Sequence, residues 1–180
     1  MAEDTPKTLD LAKLIANSAK GDESSYRSIF DHLNGRIFRY ILSRSSHRED
    51  ALDITQSVFI DLWRALTKFS YTSDEEFYGF VFLIAKRKLG KYYRSKKIQV
   101  ELDDRFISDN FEMEVEDYRF LLKHLRILST DQQEILRLRY WSGLSFKEIG
   151  AAMHMREGTA KVVHHRAIKK LEAHMRDNEK

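Results

Sequence analysis

Basic and aromatic side chains alternate between residues 77 and 97. The stretch holds seven lysines and arginines and no acidic residue. Basic groups pair with phosphates and aromatic rings stack on exposed bases, so this combination suits nucleic acid whose bases are unstacked. The tyrosines and the preceding loop, 69–74, are the freest to contact such a ligand. The competing interpretation is structural, because Phe77, Val81 and Ile84 have the spacing of core residues.

A second basic surface lies near the C-terminus, on a pattern of two helices. In segment 145–171, SFKEIGAAMHMREGTAKVVHHRAIKKL, a capping box at Ser145 and Glu148 opens a short helix, and a break at 154–155 precedes a longer one. This is the layout of a helix-turn-helix, whose second helix enters the DNA major groove. A helical wheel makes the outward face of that helix basic. The outward face comprises Lys161, Val162, His165 and Lys169, with Arg166 at its edge, and the apolar stripe comprises Ala160, Val163, Ala167 and Leu171.

These outward residue types suit DNA. Lysine or arginine can reach a phosphate or a guanine edge, and Val162 can contact a thymine methyl group. The alternative is the solvated, basic face of an ordinary helical bundle. The capping box, the short turn and the basic face occur together in this segment, and the combination favours the DNA-binding interpretation.

The segment 47–67 forms an amphipathic helix with one anomaly. Its apolar arc has Phe59 and Trp63 at one side, and Ile60 points directly away from that arc. An exposed isoleucine flanked by an edge tryptophan, an amide and an acid favours a protein-docking patch, with a plain surface helix as the alternative. The neighbours of Ile60 on this face are Asp53, Gln56, Ser57 and Arg64.

The chain offers little chemistry for catalysis or metal binding. It has no cysteine, which excludes disulfides, thiolate zinc sites and thiol nucleophiles. The four histidines between 154 and 174 match no zinc spacing, and His164 falls beside the apolar stripe. No convergent acid–base, nucleophile or phosphate-loop set is present. We therefore expect a binding protein without a cofactor, a bound metal or enzymatic turnover.

Helices must position all of these residues. Seven glycines and one proline in 180 residues leave little turn chemistry for a β-rich fold, and apolar residues recur at three- and four-residue spacing. We therefore predict an all-α fold. Capping boxes mark helix starts at Ser46/Glu49, Ser73/Glu76 and Ser145/Glu148, with a weaker one at Ser129/Gln132. The predicted helices span about 8–20, 24–44, 47–67, 75–97, 115–128, 131–141, 146–153 and 156–175.

Charge divides the chain into three parts. Residues 1–97 carry 17 basic and 13 acidic side chains, residues 98–117 carry one base and eight acids, and residues 118–180 carry 13 bases and seven acids. Two basic blocks and an acidic strip predict two small domains, 8–97 and 118–176, joined by an acidic linker at 98–117. No apolar run approaches the length of a membrane span and the N-terminus resembles no signal peptide, so we expect a cytoplasmic protein without membrane insertion.

Together these segments resemble a bacterial RNA polymerase sigma factor of the sigma-70 family, in its extracytoplasmic-function (ECF) group. SHREDALDITQSVFIDLWRALTKF is similar to the core-binding segment of region 2, and EEFYGFVFLIAKRKLGKYYRSKK is similar to the helix that melts and reads the minus-ten element. LSFKEIGAAMHMREGTAKVVHHRAIKKL resembles region 4. The resemblance covers about 10–97 and 118–175, in family order. It implies a transcription initiation factor whose partners are core RNA polymerase, promoter DNA and an anti-sigma factor.

The resemblance also implies roles for individual residues. Contacts to the clamp helices of the largest polymerase subunit would come from Asp53, Gln56, Ser57, Ile60, Trp63 and Arg64, and region 4 would contact the beta flap. The minus-ten DNA would be captured by the loop after 67 and the helix behind it, through Lys68, Phe69, Ser70, Tyr71, Phe77, Tyr78, Lys86, Arg87, Lys91 and Arg94. The minus-thirty-five DNA would be read by Arg156, Thr159, Lys161, Val162, His165, Arg166 and Lys169.

Some positions depart from the family pattern. Ser57 stands where a glutamate is usual, Phe80 replaces a common tryptophan, and Arg87 and Lys91 replace an asparagine and an aspartate. Residues 163–164 replace a frequent Arg-Leu pair, which leaves the base-reading set open. The alternative function is a stand-alone helix-turn-helix transcription regulator, which would bind duplex DNA as a dimer without polymerase.

Overall fold

The predicted all-α architecture is confirmed. A computed structural model describes residues 9–45, 47–95 and 124–178, and these residues form seven α-helices and no strand. The predicted linker at 98–117 and most of the helix predicted at 115–128 lie outside the described residues. The helices are α1 (Leu11–Ser18), α2 (Glu23–Leu42), α3 (Arg48–Leu66), α4 (Asp74–Ser95), α5 (Thr130–Leu136), α6 (Phe146–Met153) and α7 (Glu157–Asn178), and a 3-10 turn spans Leu125–Ile127.

Side-chain caps fix several of these helix starts. At α6, the Glu148 backbone N–H donates to Ser145 Oγ at 3.2 Å, and the Ser145 N–H donates to the Glu148 carboxylate at 2.6 Å. The Ser129/Gln132 box at α5 is complete as well. At α4, only the Glu76 N–H bond to Ser73 Oγ is made, at 3.3 Å. Ser46 lies outside the described residues, so the box predicted for α3 stays a prediction.

Helices α1 to α4 pack around one apolar core. Ile29, Leu33, Leu62 and Phe77 are completely buried in it. The buried arc predicted for α3 is confirmed, because Ala51, Ile54, Thr55, Val58, Leu62 and Leu66 are all buried. Only Ala65 of the predicted arc remains partly exposed. The opposite face of α3 is therefore free to be a surface.

The C-terminal helices α5 to α7 have a smaller core of their own. It comprises Leu125, Leu128, Leu136, Trp141, Ala167 and Leu171. The helix predicted at 131–141 is regular only to Leu136 and continues to Trp141 as a wider π-helical turn. The Ser142 N–H bonds to the Arg137 carbonyl, five residues earlier, as a π turn requires. Ala160, Ala167 and Leu171 are buried, which confirms the apolar stripe of α7, whereas Val163 is half-buried.

The two halves of the chain pack against each other. The larger core continues beyond α4 into Ile135, Leu138, Leu144, Ile149 and Ala160. Helix α6 lies directly on α4, and a Cβ placed on Gly79 would stand only 3.0 Å from the carbonyl carbon of Ala151. A glycine at 79 therefore permits this close helix contact. The sequence predicted two domains but gave no sign of this contact, and the predicted domain boundaries stay a prediction.

Candidate functional site

The outward face of α3 is accessible, as the wheel predicts. The side chain of Ile60 is 44% exposed, and Asp53, Gln56 and Arg64 are exposed on the same helix. Ser57 and Trp63 are half-buried. An aliphatic side chain surrounded by polar groups in this way is suited to protein docking.

Helix α2 supports and extends this face. The Trp63 ring packs edge-on against Tyr26, with the ring centroids 4.7 Å apart, and the Tyr26 hydroxyl donates to the Phe59 carbonyl. Phe30 of α2 lies against Phe59, with centroids 4.5 Å apart, and is itself partly exposed. Sequence reasoning missed Phe30 and the exposed Leu52, because a single apolar residue on a helix surface carries no signal of its neighbours.

The loop between α3 and α4 is held by aromatic packing. The Phe69 ring stacks on Phe80 at a centroid distance of 4.6 Å and meets Phe77 edge-on at 5.7 Å. Phe77 is completely buried and Tyr78 is 5% exposed, so the structure keeps both from contacting DNA in this arrangement. We remove these two residues from the predicted DNA-contacting set, because their rings serve the core. The polar loop residues Lys68 and Ser70 are exposed.

Tyr71 is the aromatic ring that this loop presents to solvent. Its ring is partly exposed, while its hydroxyl donates to the carboxylate of Asp74 at 2.7 Å. This hydrogen bond raises the pKa of Tyr71 to about 12. Asp74 is the first residue of α4, so the bond fixes the ring relative to that helix. An exposed, anchored ring is a suitable platform for stacking a nucleobase.

A basic groove of about 560 Å³ runs between the end of α3 and the outer part of α4. Its apolar lining includes Phe80 and Ile84, and its rim carries six cations: Arg64, Lys68, Arg87, Lys88, Lys91 and Arg94. Lys88 is paired with Asp61, Nζ to carboxylate oxygen, at 2.5 Å. Arg64, which the resemblance assigns to polymerase contact, lines this groove. Lys86 is exposed on the same helix but does not line the groove. An apolar lining between rows of cations suits a single strand of nucleic acid.

The second helix of the helix-turn-helix presents its predicted face. Arg156, Thr159, Lys161, Val162, His165, Arg166 and Lys169 are all exposed. Val162 is 48% exposed, so its methyl groups are accessible to a ligand. Lys161 Nζ lies 2.6 Å from the carboxylate of Glu157, one turn earlier. The arrangement offers cations at both ends of the face and an apolar contact near its middle.

A left-handed residue makes the turn between α6 and α7 tight. His154 has φ +53°, and its N–H bonds back to the last turn of α6. A Cβ on Gly150 would stand 2.8 Å from the Met155 carbonyl oxygen, so glycine is needed where the turn crosses α6. His164 is half-buried between Tyr140 and Phe146, as expected of a packed histidine.

The part of the chain that the structure describes contains no group of three potential metal ligands among its histidine and acidic side chains. Within the same ranges, no helix is long and apolar enough to cross a membrane.

Comparison with protein-family models identifies both halves of the chain. Residues 29–98 match the model of sigma-70 region 2, and residues 124–173 match that of sigma-70 region 4. The chain belongs to the sigma-70 family. Region 2 holds the α3 face and the basic groove, and region 4 holds the helix-turn-helix.

Curated relatives extend over nearly the whole chain. The ECF RNA polymerase sigma factor ShbA of Streptomyces griseus is 26% identical, over 93% of this chain and 96% of its own length. SigF of Caulobacter vibrioides, another ECF sigma factor, is 28% identical over 92% and 94%. BldN of Streptomyces coelicolor is 25% identical over 89% of this chain, which covers 64% of the relative. These names place the sigma-70 chain among the ECF sigma factors.

Solved structures share the fold. CnrH, solved in complex with the cytosolic domain of CnrY, superposes with a TM-score of 0.67 at 21% identity, over 91% of this chain and 96% of that one. The sigma factor RpoE of Bartonella quintana, solved with the anti-sigma factor NepR, gives a TM-score of 0.60 at 21% identity, over 84% and 96%.

Proposed function

We propose that this sigma-70 family member initiates transcription by docking on core RNA polymerase and directing it to promoters with defined minus-ten and minus-thirty-five elements. The observation that carries the proposal is the presence, on one chain, of three separate surfaces with three different chemistries. The α3 face combines an exposed apolar residue with polar groups. The α3/α4 groove is lined by cations, and α7 is a basic helix that follows a tight turn. A stand-alone regulator has no use for the first two.

The polymerase contact is assigned to the α3 face. Ile60 is the apolar centre, and Asp53 and Gln56 are the polar groups beside it. Trp63 lies at its margin, held in place by Tyr26. A buried apolar centre with polar groups around it is the usual composition of a stable protein interface.

The separated minus-ten strand is assigned to the loop and the basic groove. Tyr71 would stack on an unpaired base, and Lys68, Arg87, Lys91 and Arg94 would neutralise phosphates along the groove. Arg64 lines the same groove, so we assign it to DNA as well as to the polymerase margin. Lys86 lies outside the groove and would contact a more distant phosphate.

The minus-thirty-five duplex is assigned to α7. Its exposed face begins with Arg156 and Thr159 near the N-terminus, where backbone N–H groups also favour phosphate. Lys161 and Val162 follow at the depth where a recognition helix meets base edges. Arg166 and Lys169 lie further along, where such a helix passes the DNA backbone.

Two further features belong to this proposal. The solved relatives CnrH and RpoE were captured with CnrY and NepR, respectively, the latter an anti-sigma factor. We propose that the present chain is likewise bound by an anti-sigma protein. We also propose that the chain acts without catalytic turnover, in the compartment where bacterial RNA polymerase works.

Reconstituted transcription tests the function directly. Purified chain and core RNA polymerase are incubated with a library of genomic promoter fragments, and the transcripts are sequenced. We expect transcripts that begin at a defined distance from two shared sequence elements. Core polymerase alone and chain alone are the controls.

Two results would contradict the proposal. The first is no promoter-specific transcript with active core polymerase. The second is tight, sequence-specific binding of duplex DNA by the free chain as a dimer, which would favour the stand-alone regulator. Gel filtration with core polymerase separates the two explanations, since a regulator would not comigrate with it.

A further inference from the structure

A buried carboxylate and a guanidinium form a neutral pair where α5 packs on the end of α2. Glu134 of α5 is only 5% exposed. The Tyr40 hydroxyl donates to one of its carboxylate oxygens at 2.7 Å, and the Arg44 guanidinium pairs with the other. Arg44 also lies over the Tyr40 ring, 5.1 Å from its centroid. The charge of Glu134 is therefore already balanced by Arg44.

A second guanidinium, that of Arg137, lies in the same buried region. Burial and the nearby charge of Arg44 lower the pKa of Arg137 to about 10, so Arg137 is still protonated at neutral pH. Burial raises the pKa of Tyr40 and that of Tyr93, and the charges of both arginines oppose this increase at each phenol. The two guanidiniums therefore share the same neighbours, and together with Glu134 they carry one surplus positive charge.

Both guanidiniums also hold a hydrogen-bond donor without an acceptor. Among the residues that the structure describes, the Nε atoms of Arg44 and Arg137 are buried and have no hydrogen-bond partner. The Arg137 Nη1 atom donates to the Gln133 side-chain oxygen at 3.1 Å, and this neutral amide supplies no negative charge. Buried donors normally have an acceptor, and a buried charge without a counter-charge is strongly destabilising. The region therefore calls for an acceptor that is also negatively charged.

We propose that Arg44 and Arg137 bind a small inorganic anion, chloride or phosphate, as the counter-ion of this buried region. The anion accepts from the two Nε–H groups and neutralises the surplus charge. Arginine suits this role, because its guanidinium presents a rigid set of donors that make charge-assisted hydrogen bonds to anions. A water molecule can accept the same two hydrogen bonds, but it leaves the charge uncompensated.

The anion site goes beyond the proposed function and does not depend on it. None of the residues around the site belongs to the predicted polymerase or DNA contacts. The anion is a structural ligand, so its effect is measured as stability of the free chain, without polymerase or promoter. Failure of the anion site and failure of the proposed function therefore appear in different experiments.

Thermal melting at constant ionic strength tests the site. The full-length chain is melted in sodium gluconate, a bulky organic anion, which is replaced stepwise by chloride up to about 100 mM, so that screening of surface charges stays the same. A second series uses phosphate at matched ionic strength. With at least one of the two anions, we expect the melting temperature to rise and then saturate. The rise should be about 3–5 °C at ten times the dissociation constant.

The saturation separates site binding from general salt effects, which act through exclusion from the whole surface. Arg137→Met removes the surplus charge and keeps an unbranched side chain, so the saturable rise should disappear. The readout is the response to the anion, and a lower starting melting temperature leaves it interpretable. Arg27→Gln is the matched control, because Arg27 is exposed on α2, and it should keep the full response.

Line broadening of the chloride NMR signal measures binding directly. We expect the wild-type chain and Arg27→Gln to broaden the signal more than Arg137→Met does, and added phosphate to reverse the excess. A melting temperature of the wild-type chain that is the same in all three anions would overturn the site and leave water as the acceptor. A saturable response that Arg137→Met retains would also overturn it, since the anion would then bind elsewhere.

Discussion

The rings of Tyr26 and Trp63 meet edge-on, 4.7 Å apart between centroids, although 37 positions separate them in the chain. This contact fixes the tryptophan at the margin of the α3 face instead of letting it sink into the core. Aromatic pairs in this geometry contribute about 0.5–1.5 kcal/mol beyond the area that they bury. Trp63 therefore belongs both to the fold and to the proposed docking surface, whereas Ile60 belongs to the surface alone.

Ile60→Ser separates docking from folding. Because the side chain contributes little to the core, we expect an unchanged melting temperature and a loss of about tenfold in affinity for core polymerase, ~1.4 kcal/mol. Trp63→Ala should cost ~2 kcal/mol or more in binding, and should also lower the melting temperature, since it removes the Tyr26 contact. Gln56→Ala should weaken binding without a change in melting temperature. Titration of labelled variants with core polymerase measures each effect.

Leu52→Ser is the control for Ile60→Ser. Leu52 is an equally exposed aliphatic residue, two turns earlier on the same helix, and lies outside the predicted docking set. Its replacement should leave the affinity for core polymerase nearly unchanged. Equal losses from the two variants would mean that the docking site is broader than the predicted set. No loss from either would remove the α3 face from the polymerase interface.

Two substitutions at Tyr71 distinguish the role of its ring from the role of its hydroxyl. Tyr71→Ala removes the stacking platform, so we expect promoter melting, followed by permanganate reactivity of unpaired thymines, to fall by about tenfold. Stacking of one base on an aromatic ring contributes about 1–3 kcal/mol. Tyr71→Phe keeps the ring and loses the bond to Asp74, so it should retain most of the activity. Equal defects would assign the effect to loop anchoring instead of stacking.

The helical wheel predicted the exposed faces well, because burial on a helix follows a fixed angular period. Ile60 emerged as exposed and Leu62 as buried for this reason. The capping box of α6 was equally readable, since its two partners are three residues apart. The position of His164 beside the stripe indicated its half-buried state.

Contacts between distant segments could not be predicted in this way. Glu134 lies in an ordinary amphipathic helix. Its partners, Tyr40 and Arg44, are about 90 residues earlier in the chain, and the residues next to Glu134 in sequence do not indicate them. Phe77 carried two competing predictions, a core residue by its spacing and a DNA contact by the resemblance, and its complete burial agrees with the first.

Burial and the nearby Arg139 lower the pKa of His164 from its usual 6.5. The unfolded chain therefore binds a proton more readily than the folded one, and the free energy of unfolding should fall as pH drops below about 6.5. We expect His164→Gln to reduce the slope of melting temperature against pH between 7.5 and 5.5. His47→Gln changes an exposed histidine and is the control. An identical slope in His164→Gln and wild type would contradict the assignment.

The last prediction concerns Lys161 and Arg166 of α7, for which we expect different roles: base recognition for Lys161 and phosphate contact for Arg166. Both are exposed, so neither is required by the core. Lys161 is close to the helix start, the part of a recognition helix that enters the groove most deeply. Its pair with Glu157 leaves it on the surface, from which it can turn to DNA. Arg166 lies more than a turn further along α7, at the level where a recognition helix passes the DNA backbone.

We therefore expect Lys161→Ala to change the preference among minus-thirty-five variants, with a loss of ~1–3 kcal/mol at a favoured base. Arg166→Ala should weaken binding to all variants equally and lower the salt slope by about one unit, because one phosphate contact is lost. Holoenzyme binding to a set of promoter variants, at several salt concentrations, measures both effects. A uniform loss from Lys161→Ala would make it a phosphate anchor instead of a base reader. Thermal melting of the full chain completes the test, since a large drop for Arg166→Ala would reveal a structural role.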